Sequence, residues 1–345
     1  MITDTVAEDV VLGSLQTALS EEVKHGDLER LVVIRTSSRR RSVLYFVGLA
    51  SDPTSCRWVV KRPNVTIRQD DLASPLHATA QYEGLRRLHD GLARAGGAVR
   101  APRPLAYLAE IEAFAMEYVP GHAITELMGP RALLDDDTLL RAVGAAAGAL
   151  RAVHSIQAPQ SSHLDLPDLE RRALARGARL LESAGLPGHG QWFARTHELT
   201  PISAGSRVLL HGDFAPENVV LSSATVYCLD PDLTQEDWAE LDVVRFLLML
   251  FDAPLFVAGG GLRQAQWLRR RATATFLDAY YGGAPWSGAL RPLMVLSLIT
   301  RWATRDAGIT ERAPRLAVGR RLLVRRHFMS LLDEVASPSW PAAHR

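Results

Sequence analysis

Between Val208 and Leu221 two apolar segments bracket a polar loop, His211-Gly212-Asp213-Phe214-Ala215-Pro216-Glu217-Asn218. Strands on either side of a rigid turn would hold the Asp213 carboxylate and the Asn218 amide at a fixed separation. Asp230 follows, after the apolar stretch Val226 to Leu229. These residue types suit phosphoryl transfer, which needs a carboxylate to orient an attacking hydroxyl and accept its proton, and oxygen ligands for a metal that neutralises the phosphates. Asp230 offers the hard anionic ligand that Mg2+ prefers.

A second signal lies in the choice of cation. Of 39 basic residues only Lys24 and Lys61 are lysine, and the rest are arginine. The two exchange freely on solvated surfaces but not where a compact ammonium must reach one oxygen. Lys61 ends the strand-like run Arg57-Trp58-Val59-Val60-Lys61 and is the lysine to expect in a site.

The elements that would position these groups divide into a β-rich and a helical part. Leu31 to Arg35, Val43 to Leu49 and Trp58 to Lys61 read as strands, with turns at Thr36 to Arg41 and Ser51 to Ser55. His77 to Ala95 has helical spacing of Tyr82, Leu85, Leu88 and Leu92 and closes at Gly96-Gly97. Strands at Leu105 to Leu108 and Ala113 to Val119 end at Pro120-Gly121. Helices are expected at Asp137 to Ile156, at Leu169 to Ala184 and from Trp238 onward. A length of 345 residues favours two lobes.

The loop and its surroundings resemble the aminoglycoside phosphotransferase and choline kinase family, small-molecule relatives of the protein kinases. The resemblance rests on His211-Gly212-Asp213, Asn218 and Asp230, and runs from about Leu31 to about Phe251. It implies an α+β, two-lobed protein-kinase-like fold: a small antiparallel sheet with one main helix in residues 1–118, and a larger, mostly helical lobe in residues 119–345. It assigns Asp213 as catalytic base, Asn218 and Asp230 as Mg2+ ligands, His211 as a brace of the loop, and Asp242 as the helix carboxylate that steadies the loop. It gives Lys61 to the nucleotide phosphates, paired with Glu83 on the following helix. Phe114 to Gly121 resembles the hinge, with Met116, Glu117 and Val119 against the base of ATP or GTP. Ser37 and Ser38 fall in the loop expected over the phosphates. His154 is expected to pack rather than react.

Three departures shape the expected substrate. The segment Thr36 to Ser42 has no glycine, leaving serine hydroxyls, backbone amides and arginines to meet phosphate. Ala215 stands where serine/threonine protein kinases place a lysine, which favours a small hydroxylated acceptor over a protein. Pro231 follows Asp230 where relatives more often have glycine or a bulky residue; with the missing glycines, it leaves open a degenerate fold that binds nucleotide or a partner without transfer. From Asp252 to Arg345 there are 14 arginines and 6 acidic residues, a balance unsuited to polycationic acceptors and better matched to neutral or anionic ones.

The bulk numbers exclude other classes. A net charge of +1 gives no general pull toward nucleic acid. The N-terminal acids Asp4, Glu8 and Asp9 are unlike an export signal, and Val243 to Gly259, interrupted by Arg245 and Asp252, is short for a bilayer span. A cytoplasmic protein with no membrane anchor is expected. Cys56 and Cys228 lack disulfide or zinc spacing and read as reduced, buried thiols.

Overall fold

Strand alternation and one helical stripe build the first part of the chain. The computed structural model describes residues 6–22, 30–39, 42–63, 78–157, 160–162, 205–233, 235–259, 262–312 and 317–340. Its first elements are α1 (Glu8–Glu22), β1 (Leu31–Ser38), β2 (Ser42–Leu49), β3 (Asp52–Pro63), α2 (Ala78–Ala95), β4 (Val99–Arg100), β5 (Pro104–Leu108) and β6 (Ala113–Glu117). Five strands form an antiparallel sheet in the order β1-β2-β3-β6-β5. The residues form two compact units, and the first takes in Met1–Gly121 together with Ser222–Thr234.

Because side chains alternate across a strand, Val43, Tyr45, Val47, Val60, Ala113 and Ala115 share one buried face. Helix α1 covers it with Val11, Leu15 and Leu19, spaced four residues apart. The sequence reading does not mark α1, and takes its acidic start only as unlike an export signal. The apolar stripe was nevertheless present, and Tyr45 fastens the helix entry by donating its hydroxyl to the Val6 carbonyl at 3.1 Å. On the opposite face the register aligns Leu44 with Lys61 and Phe114, and Phe46 with Val59 and Met116.

Helix α2 buries Leu85, Leu88 and Leu92 together with Gly84 and Gly91. At Gly84 it approaches the chain just after Asp230: a Cβ there would stand 3.1 Å from the Pro231 carbonyl oxygen. Arg87 donates to the Leu233 carbonyl from the same helix. Pro231 thus lies under a helix rather than in an open turn. Gly84→Val should therefore lower stability by about 1–3 kcal/mol through overpacking. Urea denaturation measures it, and a stability equal to wild type would show that this contact yields freely.

The second unit comprises His122–Leu221 and Gln235–Arg345. It holds β7 (His122–Ala123), α3 (Ile124–Leu127), α4 (Asp136–His154), β8 (Gln160–Ser162), β9 (Gly205–Leu209) and β10 (Val219–Ser222). β11 (Thr225–Cys228) pairs parallel with β4 in the first unit. Then come β12 (Glu236–Trp238), α5 (Ala239–Phe251), α6 (Pro254–Ala258), α7 (Arg263–Tyr281), α8 (Leu290–Arg312) and α9 (Ala317–Val335). Helix α4 follows its sequence: Asp136 and Asp137 favour the positive N-terminal end, and Leu139, Val143, Ala146, Leu150 and Val153 form the buried stripe. Helix α5 buries Val243, Val244, Phe246, Leu247, Leu250 and Phe251, which explains its resemblance to a membrane segment. Among the described residues no helix is long and apolar enough to cross a bilayer.

The expected helix at Leu169 to Ala184 lies outside the described residues, as does Lys24. Neither cysteine is in a disulfide. Cys228 is buried and its thiol is pushed up to about 12 by burial; Cys56 is only half-buried, because its strand β3 carries exposed residues along this stretch.

Candidate active site

The loop from His211 to Asn218 is held from one side by a single carboxylate. Asp242, near the start of α5 and 1 % exposed, accepts the His211 backbone N–H at 2.6 Å and the Gly212 N–H at 3.0 Å. Gly212 has φ +79°, a left-handed conformation in which a side chain would be strained. His154, at the end of α4, adds its Nε2 to Asp242 at 3.0 Å and sets its Nδ1 2.8 Å from the Tyr280 hydroxyl of α7. Burial alone would raise the Asp242 carboxyl. The hydrogen bond and charge of His154, with the charge and backbone N–H of His211, hold it below the usual carboxylate value. Burial, then the charges of Glu240 and Asp242, raise the Tyr280 hydroxyl well above the usual phenol value, so Tyr280 stays a neutral hydroxyl against His154 Nδ1. His154 packs, as expected, and also links three elements.

Aromatic rings seat the same loop. His211 meets Phe214 edge-on at 5.3 Å, Phe214 meets Phe246 at 5.6 Å, and Phe246 stacks on Phe276 at 4.4 Å. Such pairs add about 0.5–1.5 kcal/mol each beyond the area they bury. The loop is thereby fixed to α5 and α7 before any ligand arrives.

On this base Asp213 is oriented at both oxygens. Arg245 of α5 forms an ion pair with Oδ1, and Asn218 Nδ2 donates to Oδ2 at 3.2 Å and to the Asp213 carbonyl at 2.8 Å. Sequence reading missed Arg245. Its signal was the break it makes, with Asp252, in an apolar helix three residues after Asp242.

The first unit gathers the other expected groups. Lys61, its side chain 7 % exposed, pairs with Asp230 Oδ1. Asp230 sits at φ +60°, a left-handed position that aspartate tolerates better than most residues. Lys61 does not pair with Glu83, contrary to expectation: Glu83 binds Arg86 at 2.8 Å and is 40 % exposed. The reason is helical phase. At about 100° per residue, Glu83 points away from the buried stripe of α2, whereas Gln81 shares the phase of Leu85 and Leu88 and buries its side-chain oxygen. Met116 pairs with Val59. The Glu117 and Tyr118 N–H groups donate to the carbonyls of Arg103 and Arg57, which pins the segment leading to Val119. Ser37 and Ser38 are not in a loop: β1 continues through them, opposite Leu44 and Val43, and the turn is closed by Arg39 N–H to Ser42. Arg35, also unmarked by sequence reading, lies 4.0 Å over Phe46, whose ring meets Tyr118 edge-on at 6.2 Å.

The donor chemistry of the two expected metal ligands fits Mg2+. Asp230 presents a carboxylate, and Asn218, whose Nδ2 is engaged by Asp213, has an amide oxygen to offer. Among the described residues no three His, Cys, Asp or Glu side chains converge. Mg2+ is characteristically held by one or two carboxylates plus substrate phosphates rather than by a protein cage.

Residues 35–282 match the phosphotransferase enzyme family. The chain belongs to that family. Among solved structures, this phosphotransferase family member is similar to a protein from Ralstonia eutropha JMP134 described as a candidate aminoglycoside phosphotransferase, at 15% identity and TM-score 0.56, covering 92% of this chain and 97% of that one. Choline kinase from Cryptosporidium parvum Iowa II matches at 12% identity and TM-score 0.52, covering 97% and 99%. A glucosamine kinase in complex with glucosamine, ADP and inorganic phosphate matches at 17% identity and TM-score 0.51, covering 88% and 81%. At these identities the likeness establishes the protein-kinase-like fold. No curated protein matches.

Proposed function

We propose that the protein transfers the γ-phosphate of ATP or GTP to a hydroxyl of a small metabolite, with Asp213 as the base. The observation that carries this reading is the double anchoring of Asp213, with Arg245 on one carboxylate oxygen and Asn218 on the other. A carboxylate so fixed can orient an acceptor hydroxyl and take its proton as the oxygen attacks phosphorus. The bond from phosphorus to the bridging oxygen breaks, and the nucleoside diphosphate leaves. Preformed positioning of this kind is the main protein contribution to phosphoryl transfer.

Lys61 serves the nucleotide phosphates, and the segment Met116, Glu117 and Val119 serves the base. Asp230 and Asn218 would hold Mg2+, which when bound neutralises charge developing on the phosphate oxygens. The glucosamine kinase with bound ADP supports a nucleotide donor and a small acceptor. Ala215, small and buried where serine/threonine protein kinases place a lysine, supports a small acceptor as well.

The test is release of ADP or GDP from the full chain with Mg2+ across sugars, nucleosides and amino sugars. Release should require the metal, rise with at least one acceptor, and fall to background in Asp230→Asn. Nucleotide binding without metal-dependent release in any condition would instead make the protein a binding module.

A further inference from the structure

The stripe of α5 that carries Asp242 and Arg245 continues to Asp252, the residue just after the helix, and there meets two more arginines. Arg301 of α8 donates from Nε at 2.9 Å and from Nη2 at 2.5 Å to Asp252 Oδ2, and Arg305 pairs with Oδ1. The carboxylate is nearly buried at 8 %, whereas the Arg301 and Arg305 side chains remain 37 % and 32 % exposed. At Asp252 itself two guanidiniums face one carboxylate. The bonds to Asp252 occupy only part of the five N–H donors each guanidinium carries.

Arg301 lies within electrostatic reach of the loop that carries Asp213. Arg245 and Asp252 are seven residues apart, nearly the same helical phase and about 10 Å along the axis. Arg301 feels the charges of both Arg245 and Glu217, the latter on the loop itself. Glu217 is the acidic counterweight here. Behind the pair, burial and then the charges of Arg269 and Arg305 push the His327 imidazole down to about 3, so that ring adds no charge of its own.

We infer that Arg301 and Arg305 form an acceptor subsite for an anionic group, so the metabolite phosphorylated at Asp213 is a hydroxylated acid carrying a carboxylate or phosphate monoester. This rests on the phosphotransferase reading above. The planar forks match two-oxygen anions, and Asp252 holds both in place from behind. A polycationic amine would meet the same guanidiniums as repulsion.

Equilibrium binding of four probes to the full chain tests the subsite: gluconate, glucose 6-phosphate, glucose and glucosamine. At least one acid should bind tenfold or more tighter than glucose, and gluconate against glucose 6-phosphate tells carboxylate from phosphate. Arg301→Gln with Arg305→Gln should erase that difference. Because that pair strands a buried carboxylate, the same change is also made with Asp252→Asn, and thermal unfolding checks the fold. Arg301→Lys, which keeps the charge on Asp252 without the planar fork, should lose about fivefold for the acid. Equal binding of acids and glucose, tighter binding of glucosamine, or an acid preference that survives the triple change would overturn the subsite. Nucleotide consumption is scored separately. An arginine-dependent acid preference without any transfer would refute the phosphotransferase reading and leave an anion site; transfer to neutral or amine acceptors without acid preference would do the reverse.

Discussion

Asp213→Ala is expected to lower kcat by about 10²–10⁴-fold, the usual range for loss of a positioned base, while nucleotide affinity stays within about threefold of wild type. The selectivity follows from what Asp213 touches. Its partners, Arg245 and Asn218, lie on the same unit of the chain, and none of the groups assigned to the nucleotide base or to Lys61 depends on it. Asp213 and Arg245 are both about a third or more exposed, so the stranded arginine rehydrates and the fold should survive. Asp213→Asn keeps the shape and the Asn218 contact but cannot take the proton, and should fall as far. Steady-state turnover with a hydroxyl acceptor, together with titration of a fluorescent nucleotide, measures both. An alanine variant that turns over within tenfold of wild type would remove Asp213 from the base role.

Asp242→Ala should have the largest effect on stability, about 3–5 kcal/mol, the range found when one partner of a buried ionic network is deleted. Two backbone N–H groups and the His154 ring would lose their acceptor in a place 1 % exposed. Gly212 would lose the contact that holds its left-handed backbone, so turnover should fall along with stability. The effect has a pH signature. The carboxyl is held below its unfolded value of about 3.9. Its stabilisation is therefore fully present above that pH and lost as pH falls through the lower, folded value. Urea denaturation of wild type and variant should show a wide gap at pH 7 that narrows in that acid range. A variant as stable as wild type at pH 7 would mean that the loop is not braced through Asp242.

Much of this was legible in the sequence because it depends on short spacing. The loop from His211 to Asn218, the strands that alternate around Val43 to Leu49, and the stripe of α2 are local patterns, and local patterns survive being read in one dimension. Lys61 was legible for a compositional reason, as a rare lysine among arginines at a strand end. What failed was phase and partnership. Glu83 is correctly near Lys61 in the chain order of elements, yet the helix turns it outward and turns Gln81 inward. Ser37 and Ser38 read as a turn, yet β1 runs on because β2 supplies partners for them.

Residue type at fixed separation marked the carboxylates worth testing, and the family resemblance they carry implied the kinase-like fold. Only the tertiary structure decided what those carboxylates touch. Arg245 on Asp213, His154 on Asp242, Lys61 on Asp230 and the two arginines on Asp252 join residues 32, 88, 169 and, for Asp252, 49 and 53 positions apart. An ion pair is chosen by proximity and burial in space, and no periodicity along the chain encodes which of 39 cations a given anion will meet.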